Sequence, residues 1–337
     1  MEPKDYAIRR GLWAIPTLFG VTVFTFVLTR LAGSPIAMYT SRYATDEQVE
    51  MIRETYHLNE PIYVQYFYWL RGVLQGDLGW SATSGSTVLD ALIVFAPATV
   101  ELAVAGLLIA LVISITLGTL AGRYQDTWID HFSRSLAVAG VSTPQFWSAL
   151  ILVYIFFVTL GWFPLGRATV SVWNSIGHPT GMYTVDAILA GSPRAFFDAL
   201  WHLAMPAVVL GYANAAVIMR HLRAEIVEKK NEEYVMAARA RGIKDDTVYK
   251  RHIRRNSLIP TLTVAGLSFA FLLRGAILAE IVFNFPGLGR YVAQAALSNE
   301  FAPLMGFVLI TSVAVMGVNL GVDILYAYLD PRTELGE

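Results

Sequence analysis

Long runs of apolar residues are the feature that most limits how this chain can fold. There are six of them, at about residues 11–31, 98–121, 135–162, 200–219, 259–281 and 302–326. A helix of about 20 apolar residues crosses the roughly 30 Å hydrocarbon layer of a bilayer. The runs are continuously apolar and too long for the strands of a membrane barrel, which argues against that architecture. We therefore predict an all-α integral membrane protein with six transmembrane helices.

Composition supports a membrane environment. Charged residues make up 15% of the chain and hydrophobic residues 55%, whereas a soluble domain has about a quarter of its residues charged.

Arg9 and Arg10 precede the first run, as in a cleaved signal peptide. That run is longer than a signal core of about 7–15 residues, so we expect it to be retained as a helix.

The distribution of Lys and Arg predicts the orientation. The densest set lies between residues 220 and 258, and further basic residues flank the N-terminus. Cytoplasmic segments are enriched in Lys and Arg. We therefore expect a multi-pass protein of the cell membrane, with both termini and the 220–258 loop in the cytoplasm.

Four regions follow from this topology. They are residues 1–31 (N-terminus and first helix), 32–97 (an extracytoplasmic segment), 98–326 (a core of five helices that includes the 220–258 loop) and 327–337 (a cytoplasmic tail).

Within the extracytoplasmic segment, Thr45 and Gln48 have the spacing of a capping box. Residues 62–70 are rich in Tyr and Trp, which suits either a helix at the membrane surface or a small packed outer subdomain.

Catalytic and metal-binding motifs do not occur in the sequence. The chain has no cysteine, and its six histidines lack the spacing of a metal site. No Gly-rich phosphate loop ending in Gly-Lys-Ser/Thr occurs, so we expect no ATP site, no cofactor and no metal in this chain. The formal net charge of −1 gives no reason to expect nucleic-acid binding.

The cytoplasmic loop contains a helix with a clear end signal. Residues 232–241 are helix formers, and Gly242 follows at a position that suits the left-handed C-cap. A second helix can begin near Thr247, which would give a helix–turn–helix elbow. Ala237, Ala238 and Ala240 would let a partner approach closely. The alternative is a basic loop that lies on anionic lipid.

This loop resembles the coupling loop of the membrane subunits of ABC importers. Residues 234–242 (Tyr-Val-Met-Ala-Ala-Arg-Ala-Arg-Gly) and 251–260 (Arg-His-Ile-Arg-Arg-Asn-Ser-Leu-Ile-Pro) are similar to the dipeptide, oligopeptide and nickel permease branch. Met236 departs from the Glu of the general signature. Matching segments follow the chain in order at residues 76–79, 97–102, 144–147, 280–290 and 330–332.

The resemblance implies a type I importer permease fold and a role for the elbow. The residues expected to couple the chain to an ATPase are Glu233, Tyr234, Ala237, Ala238, Arg239, Gly242 and Asp245. The chain would form half of a pathway for di- and oligopeptides. The implied partners are a homologous second permease subunit, two ATPase subunits that hold ATP and Mg, and an extracytoplasmic substrate-binding protein.

Charged residues within the apolar runs need protein or water around them. Glu101, Glu280 and Asp323 lie near helix ends, where we expect structural hydrogen bonds. Arg274 lies deepest, and a pathway role and a buried ion pair both remain open. As pathway residues the sequence offers Arg274, Glu280, Phe146 and Trp147.

Other functions remain as alternatives. The same machine could import oligosaccharides or nickel, since the branch that the chain resembles handles all three. An ion-coupled secondary carrier would need acidic or histidine relays at mid-membrane, and the sequence has no convincing one. The missing motifs argue against a membrane enzyme.

Overall fold

The computed structural model describes residues 3–32, 36 and 45–329 and is almost entirely helical. In chain order the helices are α1 (Pro3–Ala32), α2 (Asp46–Thr55), α3 (Ile62–Leu74), α4 (Val88–Arg123), α5 (Trp128–Ser142), α6 (Gln145–Leu152), α7 (Val170–Trp173), α8 (Tyr183–Leu189), α9 (Pro193–Lys229), α10 (Glu233–Ala240), α11 (Asp245–Val248), α12 (Arg255–Val282), α13 (Leu288–Leu297) and α14 (Phe301–Leu329). The π-helical segments Val153–Thr159 and Tyr249–Arg254 follow α6 and α11.

All six apolar runs lie mainly on helices, which confirms the all-α membrane fold. Within the described residues, α4, α9 and α14 are each long and apolar enough to cross a bilayer. Two more spans result if each of two bent pairs counts as one. The 30 residues of α1 extend for about 45 Å, although its described apolar part, Ile15–Leu28, is shorter than a full span.

The third run is bent, so the prediction of one continuous helix over residues 135–162 is wrong. Helix α5 ends at Ser142, and α6 begins at Gln145 in a direction that differs by 101°. Pro144 lacks a backbone N–H and disfavours the helical region for the residue before it. Thr143 accordingly has an extended backbone, with φ −91° and ψ 123°.

Helix α4 begins at Val88, earlier than the predicted start at residue 98. The Thr87 side chain caps it by accepting a hydrogen bond from the Asp90 N–H at 3.2 Å. Pro97 lies inside the helix, although the sequence suggested that the helix begins there. The predicted boundary between residues 97 and 98 therefore falls within α4.

The core is built on the packing of α4 against α9. Small buried residues follow α4 at every fourth position, namely Gly106, Ala110, Ser114, Gly118 and Gly122. A Cβ atom on Gly211 of α9 would lie 2.7 Å from the Gly106 carbonyl oxygen and 2.8 Å from Ile109 Cβ. Small residues at such positions let two membrane helices approach closely. The backbones of α4 and α9 are thus in direct contact.

Residues 45–87, which precede α4, are attached to the core. Their capping box is confirmed, because Thr45 and Gln48 exchange side-chain and backbone hydrogen bonds at the start of α2. A hairpin of β1 (Trp80–Ser81) and β2 (Ser86–Thr87) precedes α4. The Glu300 carboxylate accepts hydrogen bonds from Ser81 Oγ at 3.0 Å and Thr83 Oγ1 at 2.8 Å, which fixes the hairpin to the α13–α14 turn.

We expect Gly211→Ala to destabilise the protein because the new methyl group overlaps the α4 backbone. Overpacking of this kind costs about 1–3 kcal/mol. Gly20→Ala in α1 is the matched control, since a Cβ there meets nothing within 4 Å. Thermal unfolding of the purified transporter should show a lower Tm for Gly211→Ala alone. Equal Tm values for the two variants would contradict this account of the α4–α9 contact.

Candidate functional site: the elbow between α9 and α12

The chain between α9 and α12 folds into a compact elbow. Helix α10 ends where the sequence predicted, since Gly242 has φ +76°. The Gly242 N–H donates to the Arg239 carbonyl at 2.9 Å, and the Ile243 N–H donates to the Ala238 carbonyl at 3.3 Å. These two bonds form a Schellman motif, in which glycine supplies the left-handed backbone. The second helix of the elbow also forms, and it begins at Asp245.

One face of α10 is buried in a small apolar core. Val235 and Ala238, three residues apart on the helix, both point inward. They pack with Leu222 and Ile226 of α9 and with Val248, Tyr249 and Ile253. The expectation that Ala238 meets a partner is therefore wrong, because this side chain holds α10 to its own chain. A partner can approach Ala237 and Ala240, which are exposed.

The opposite face of α10 is open to a partner. The side chains of Glu233, Tyr234, Ala237, Arg239 and Asp245 are exposed. Met236 is 54% exposed and adds an apolar group to this face. Arg239 Nε lies 3.1 Å from Asp245 Oδ1, but both side chains are solvated, so this pair contributes little stability.

Three contacts fix the elbow to the end of α4. Arg123 Nη2 lies 3.0 Å from Asp246 Oδ1, and the Tyr249 hydroxyl donates to the Thr119 carbonyl at 2.8 Å. Lys230 Nζ donates to the Arg123 carbonyl at 3.0 Å. Burial, together with the nearby charges of Arg239 and Arg223, lowers the pKa of Lys230. The elbow is thus attached by these contacts to α4, in addition to its direct connections to α9 and α12.

Sequence reasoning missed these contacts, because their partners lie more than 100 positions apart in the chain, as Arg123 and Asp246 do. It also missed a buried ion pair near the same end of the bundle. Arg223 Nε and Nη2 of α9 each donate to Asp130 of α5 at 2.6 Å. Such a bidentate pair fixes orientation as well as distance. An acidic residue at the start of an apolar run was the signal available in the sequence.

Glu101 lies inside the N-terminal half of α4 rather than near a helix end, and it makes the structural hydrogen bonds that we predicted. Its carboxylate accepts from Arg167 Nη2 at 2.7 Å and from the Thr184 N–H at 2.6 Å. Both side chains of the Glu101–Arg167 pair are nearly enclosed. Arg167 also donates to the Gly181 carbonyl. The connection from α6 to α9 is thereby tied to α4.

Glu280 is also a structural group, as its position near a helix end predicted. It accepts hydrogen bonds from Thr99 Oγ1 at 2.6 Å and from the Arg290 N–H at 2.9 Å. The Leu288 N–H donates to Thr99 Oγ1 at 2.8 Å. The carboxylate therefore lies at the N-terminus of α13, where a negative charge is favourable. Because it is 0% exposed, the structure gives no support to a direct contact between Glu280 and a passing solute.

The remaining candidate pathway residues lie on α6 and α12, two helices that contact each other. Phe146 and Trp147 lie in the first turn of α6, just after the bend, and are 47% and 53% exposed. Arg274 is in α12 and Asp323 in α14, but their side chains fall outside the described residues. The segment 330–332 lies outside them as well. The pathway roles of Arg274, Phe146 and Trp147 remain predictions.

The fold and the elbow define a class of protein. The chain is a multi-pass helical membrane protein with an elbow that is packed against the membrane helices on one face and exposed on the other. In the part of the chain that the structure describes, no group of three or more His, Cys, Asp or Glu residues forms a candidate metal site.

Comparison with known proteins identifies the family. Residues 114–335 match the family described as "Binding-protein-dependent transport system inner membrane component", and residues 4–103 match its N-terminal companion. The chain belongs to this family. The prediction of an ABC importer permease is thus confirmed, and the family is one of membrane permeases rather than enzymes.

Relatives of similar length match almost end to end. The "Probable D,D-dipeptide transport system permease protein DdpB" of Escherichia coli (strain K12) is 38% identical over 98% of this chain and 97% of its own length. The "Oligopeptide transport system permease protein AppB" of Bacillus subtilis (strain 168) is 34% identical over 98% and 99%. The "Glutathione transport system permease protein GsiC" of Escherichia coli O6:H1 is 33% identical over 97% and 98%.

Gly242→Val should impair coupling, because a β-branched residue resists the left-handed backbone that ends α10. The strain costs about 1–3 kcal/mol, and no steric clash adds to it, since a Cβ at this position meets nothing within 4 Å. We expect lower assembly, or ATP hydrolysis without transport. Transport and ATP hydrolysis of the reconstituted complex provide the measurement.

Gly191→Val is the control for position. Gly191 also has a positive φ, +60°, and open space around its Cβ position, but it precedes α9 at the other end of that helix. Its variant should suffer the same local strain and keep hydrolysis coupled to transport. Gly242→Asn should recover much of the lost coupling, because Asn tolerates this conformation. Equal coupling in Gly242→Val and Gly191→Val would show that the elbow has no special role.

Proposed function

We propose that this chain forms half of the translocation pathway of an ABC importer for di- and oligopeptides. The elbow receives movement from an ATPase subunit and passes it to α4, α9 and α12. This proposal rests on the burial of α10, which is buried on one side and exposed on the other. A partner can bind the exposed face of α10, while the buried face keeps α10 fixed to the membrane helices.

The contacts of the elbow support a rigid-body movement. Helix α9 continues directly into the turn before α10, and the Tyr249–Arg254 segment leads directly into α12. The bonds from Tyr249 and Lys230 to the end of α4 add a third helix. Packed elements that are connected in this way move together rather than deform separately.

The cargo is inferred from the relatives. Those named above are described as permeases for D,D-dipeptides, oligopeptides and glutathione, all of which are peptides or peptide-like. Nearly complete coverage of both chains in each match favours a similar pathway here. We extend the cargo class, not an individual peptide, to this protein.

The proposal requires partners. A homologous second permease subunit completes the pathway, two ATPase subunits supply ATP hydrolysis with Mg, and an extracytoplasmic protein delivers the substrate. The exposed α10 face is the surface we assign to the ATPase. Both termini and the elbow lie in the cytoplasm in this arrangement, in agreement with the basic residues between 220 and 258.

The orientation can be tested by thiol labelling, since the chain has no cysteine of its own. Lys244→Cys and Asn174→Cys each place one thiol at an exposed position, in the elbow and in the connection between α6 and α9 respectively. In intact cells an impermeant maleimide should label position 174 and leave position 244 unlabelled until the membrane is opened. The opposite labelling pattern would reverse the topology.

The cargo can be tested in proteoliposomes that contain the assembled transporter and its binding protein. We expect ATP-dependent accumulation of a radiolabelled dipeptide. An oligosaccharide and radioactive nickel, tested in parallel, should not accumulate above the level measured without ATP. Uptake of either one in place of the peptide would contradict the proposed cargo and leave the importer mechanism intact.

A further inference from the structure

Helix α3 lies against the part of α1 that belongs in the bilayer. The Tyr66 ring contacts the Phe26 ring with centroids 5.2 Å apart, and the Tyr66 hydroxyl lies 2.9 Å from Thr22 Oγ1. Thr22 is within the apolar stretch Ile15–Leu28. At 1.5 Å per residue, it lies about 15 Å along the axis from Ala32, the last residue of α1. Helix α3 thus reaches well into one leaflet.

An adjacent face of α3 is apolar and exposed. Tyr63 is 72% exposed, Phe67 64% and Leu74 80%. Because the neighbouring face of the same helix packs on a membrane-embedded part of α1, acyl chains are the environment that this stripe meets. Aromatic residues of this kind are typical of the membrane–water interface. The stripe accounts for the aromatic run that the sequence showed at residues 62–70.

A cavity of about 310 Å³ lies between the end of α1, the end of α2 and α3. Its walls combine aromatic rings with charged groups of both signs. The residues that matter here are Arg30, Tyr56, Tyr68, Trp69, Arg71 and Asp77. Arg30 is near the last residue of α1, so the cavity lies at the level where lipid headgroups meet the protein.

The charges in this cavity have a definite arrangement. The Arg30 guanidinium lies over the Phe26 ring, 4.6 Å from its centroid. The Asp77 carboxylate accepts a hydrogen bond from the Gly79 N–H at 3.0 Å and another from the Tyr56 hydroxyl. These bonds hold the carboxylate in place and leave it able to accept from a further donor.

We propose that this cavity binds the phosphoethanolamine headgroup of a phospholipid. Guanidinium groups are suited to phosphate oxygens, so Arg30 and Arg71 would hold the phosphate. The primary ammonium would donate to Asp77 and lie near the aromatic rings, which attract cations. The acyl chains would run along the exposed stripe of α3. This site is independent of the cargo and of the coupling mechanism.

A headgroup with both charges fits better than its alternatives. An anionic headgroup without an ammonium would place a second negative charge near Asp77 and offer its carboxylate no cation. A free phosphate ion would use the arginines but not the carboxylate or the apolar stripe. The adjacent hydrophobic surface therefore favours a lipid over a soluble anion.

The test is a thermal-shift titration of the assembled transporter, purified in detergent and stripped of lipid. The probes are dihexanoyl-phosphatidylethanolamine, dihexanoyl-phosphatidylglycerol and inorganic phosphate. We expect the ethanolamine lipid to raise Tm with saturation, and Arg71→Gln to weaken its apparent affinity about tenfold. Arg53→Gln is the matched control, because Arg53 is exposed on α2 and does not line the cavity.

Three results would overturn the proposal. They are equal titrations of Arg71→Gln and the parent, an Arg71-dependent shift of the same size with inorganic phosphate, and stronger binding of the glycerol lipid than of the ethanolamine lipid. The first result would mean that Arg71 does not bind the headgroup. The second would mean that the ligand is a soluble anion, and the third that the headgroup is a different one.

A second measurement tests the depth of α3 without altering the charged groups. Spin labels at Phe67→Cys and Glu60→Cys, in the transporter reconstituted in a bilayer, report access to oxygen and to a water-soluble nickel chelate. We expect a lipid-like environment at position 67 and a water-like one at position 60. A water-like result at both positions would remove the membrane contact on which the proposal depends.

Discussion

The direct contact between α4 and α9 is the constraint on which the rest of this structure depends. Inside a bilayer, hydrophobic burial does not drive two helices together, so close van der Waals contact must do so. The absence of side chains on Gly106 and Gly211 allows that contact near the middle of the pair. Gly122 repeats the arrangement near the elbow, where a Cβ would lie 2.7 Å from Ile226 Cβ. The two helices therefore form one rigid unit.

Polar contacts lie on both sides of the close contact between Gly106 and Gly211. The Asp130–Arg223 pair and the bonds from Tyr249 and Lys230 lie at the elbow end, and the Glu101–Arg167 pair lies in the N-terminal half of α4. Desolvation of buried charges offsets much of their attraction, so such pairs define geometry more than they add stability. An apolar contact between α4 and α9, with polar contacts on either side of it, is consistent with a helix pair that tilts as one rigid body.

The segment before α4 belongs to the same assembly and is not an independent outer domain. Glu300 fixes its hairpin to the α13–α14 turn, and Tyr66 joins α3 to α1. One attachment is to the α13–α14 turn and the other is to the apolar part of α1. The headgroup site proposed above would add lipid as a third attachment.

The sequence by itself determined the features that depend on neighbouring residues. A run of about 20 apolar residues must become a helix in a bilayer, because every backbone group needs a partner there. Gly242 ends α10, and Thr45 with Gln48 begins α2, through bonds that span only a few residues. The elbow was predictable for the same reason, and the resemblance of its sequence to importer permeases pointed to the family.

Only the tertiary structure decided which groups meet across long stretches of chain. It turned Ala238 inward, enclosed Glu280 between Thr99 and α13, and brought Arg123 to Asp246. Neither the inward face of a short helix nor the partner of a charge can be derived from local spacing. Both depend on how whole helices approach one another. Here α4 and α9 can approach closely because Gly106 and Gly211 have no side chain.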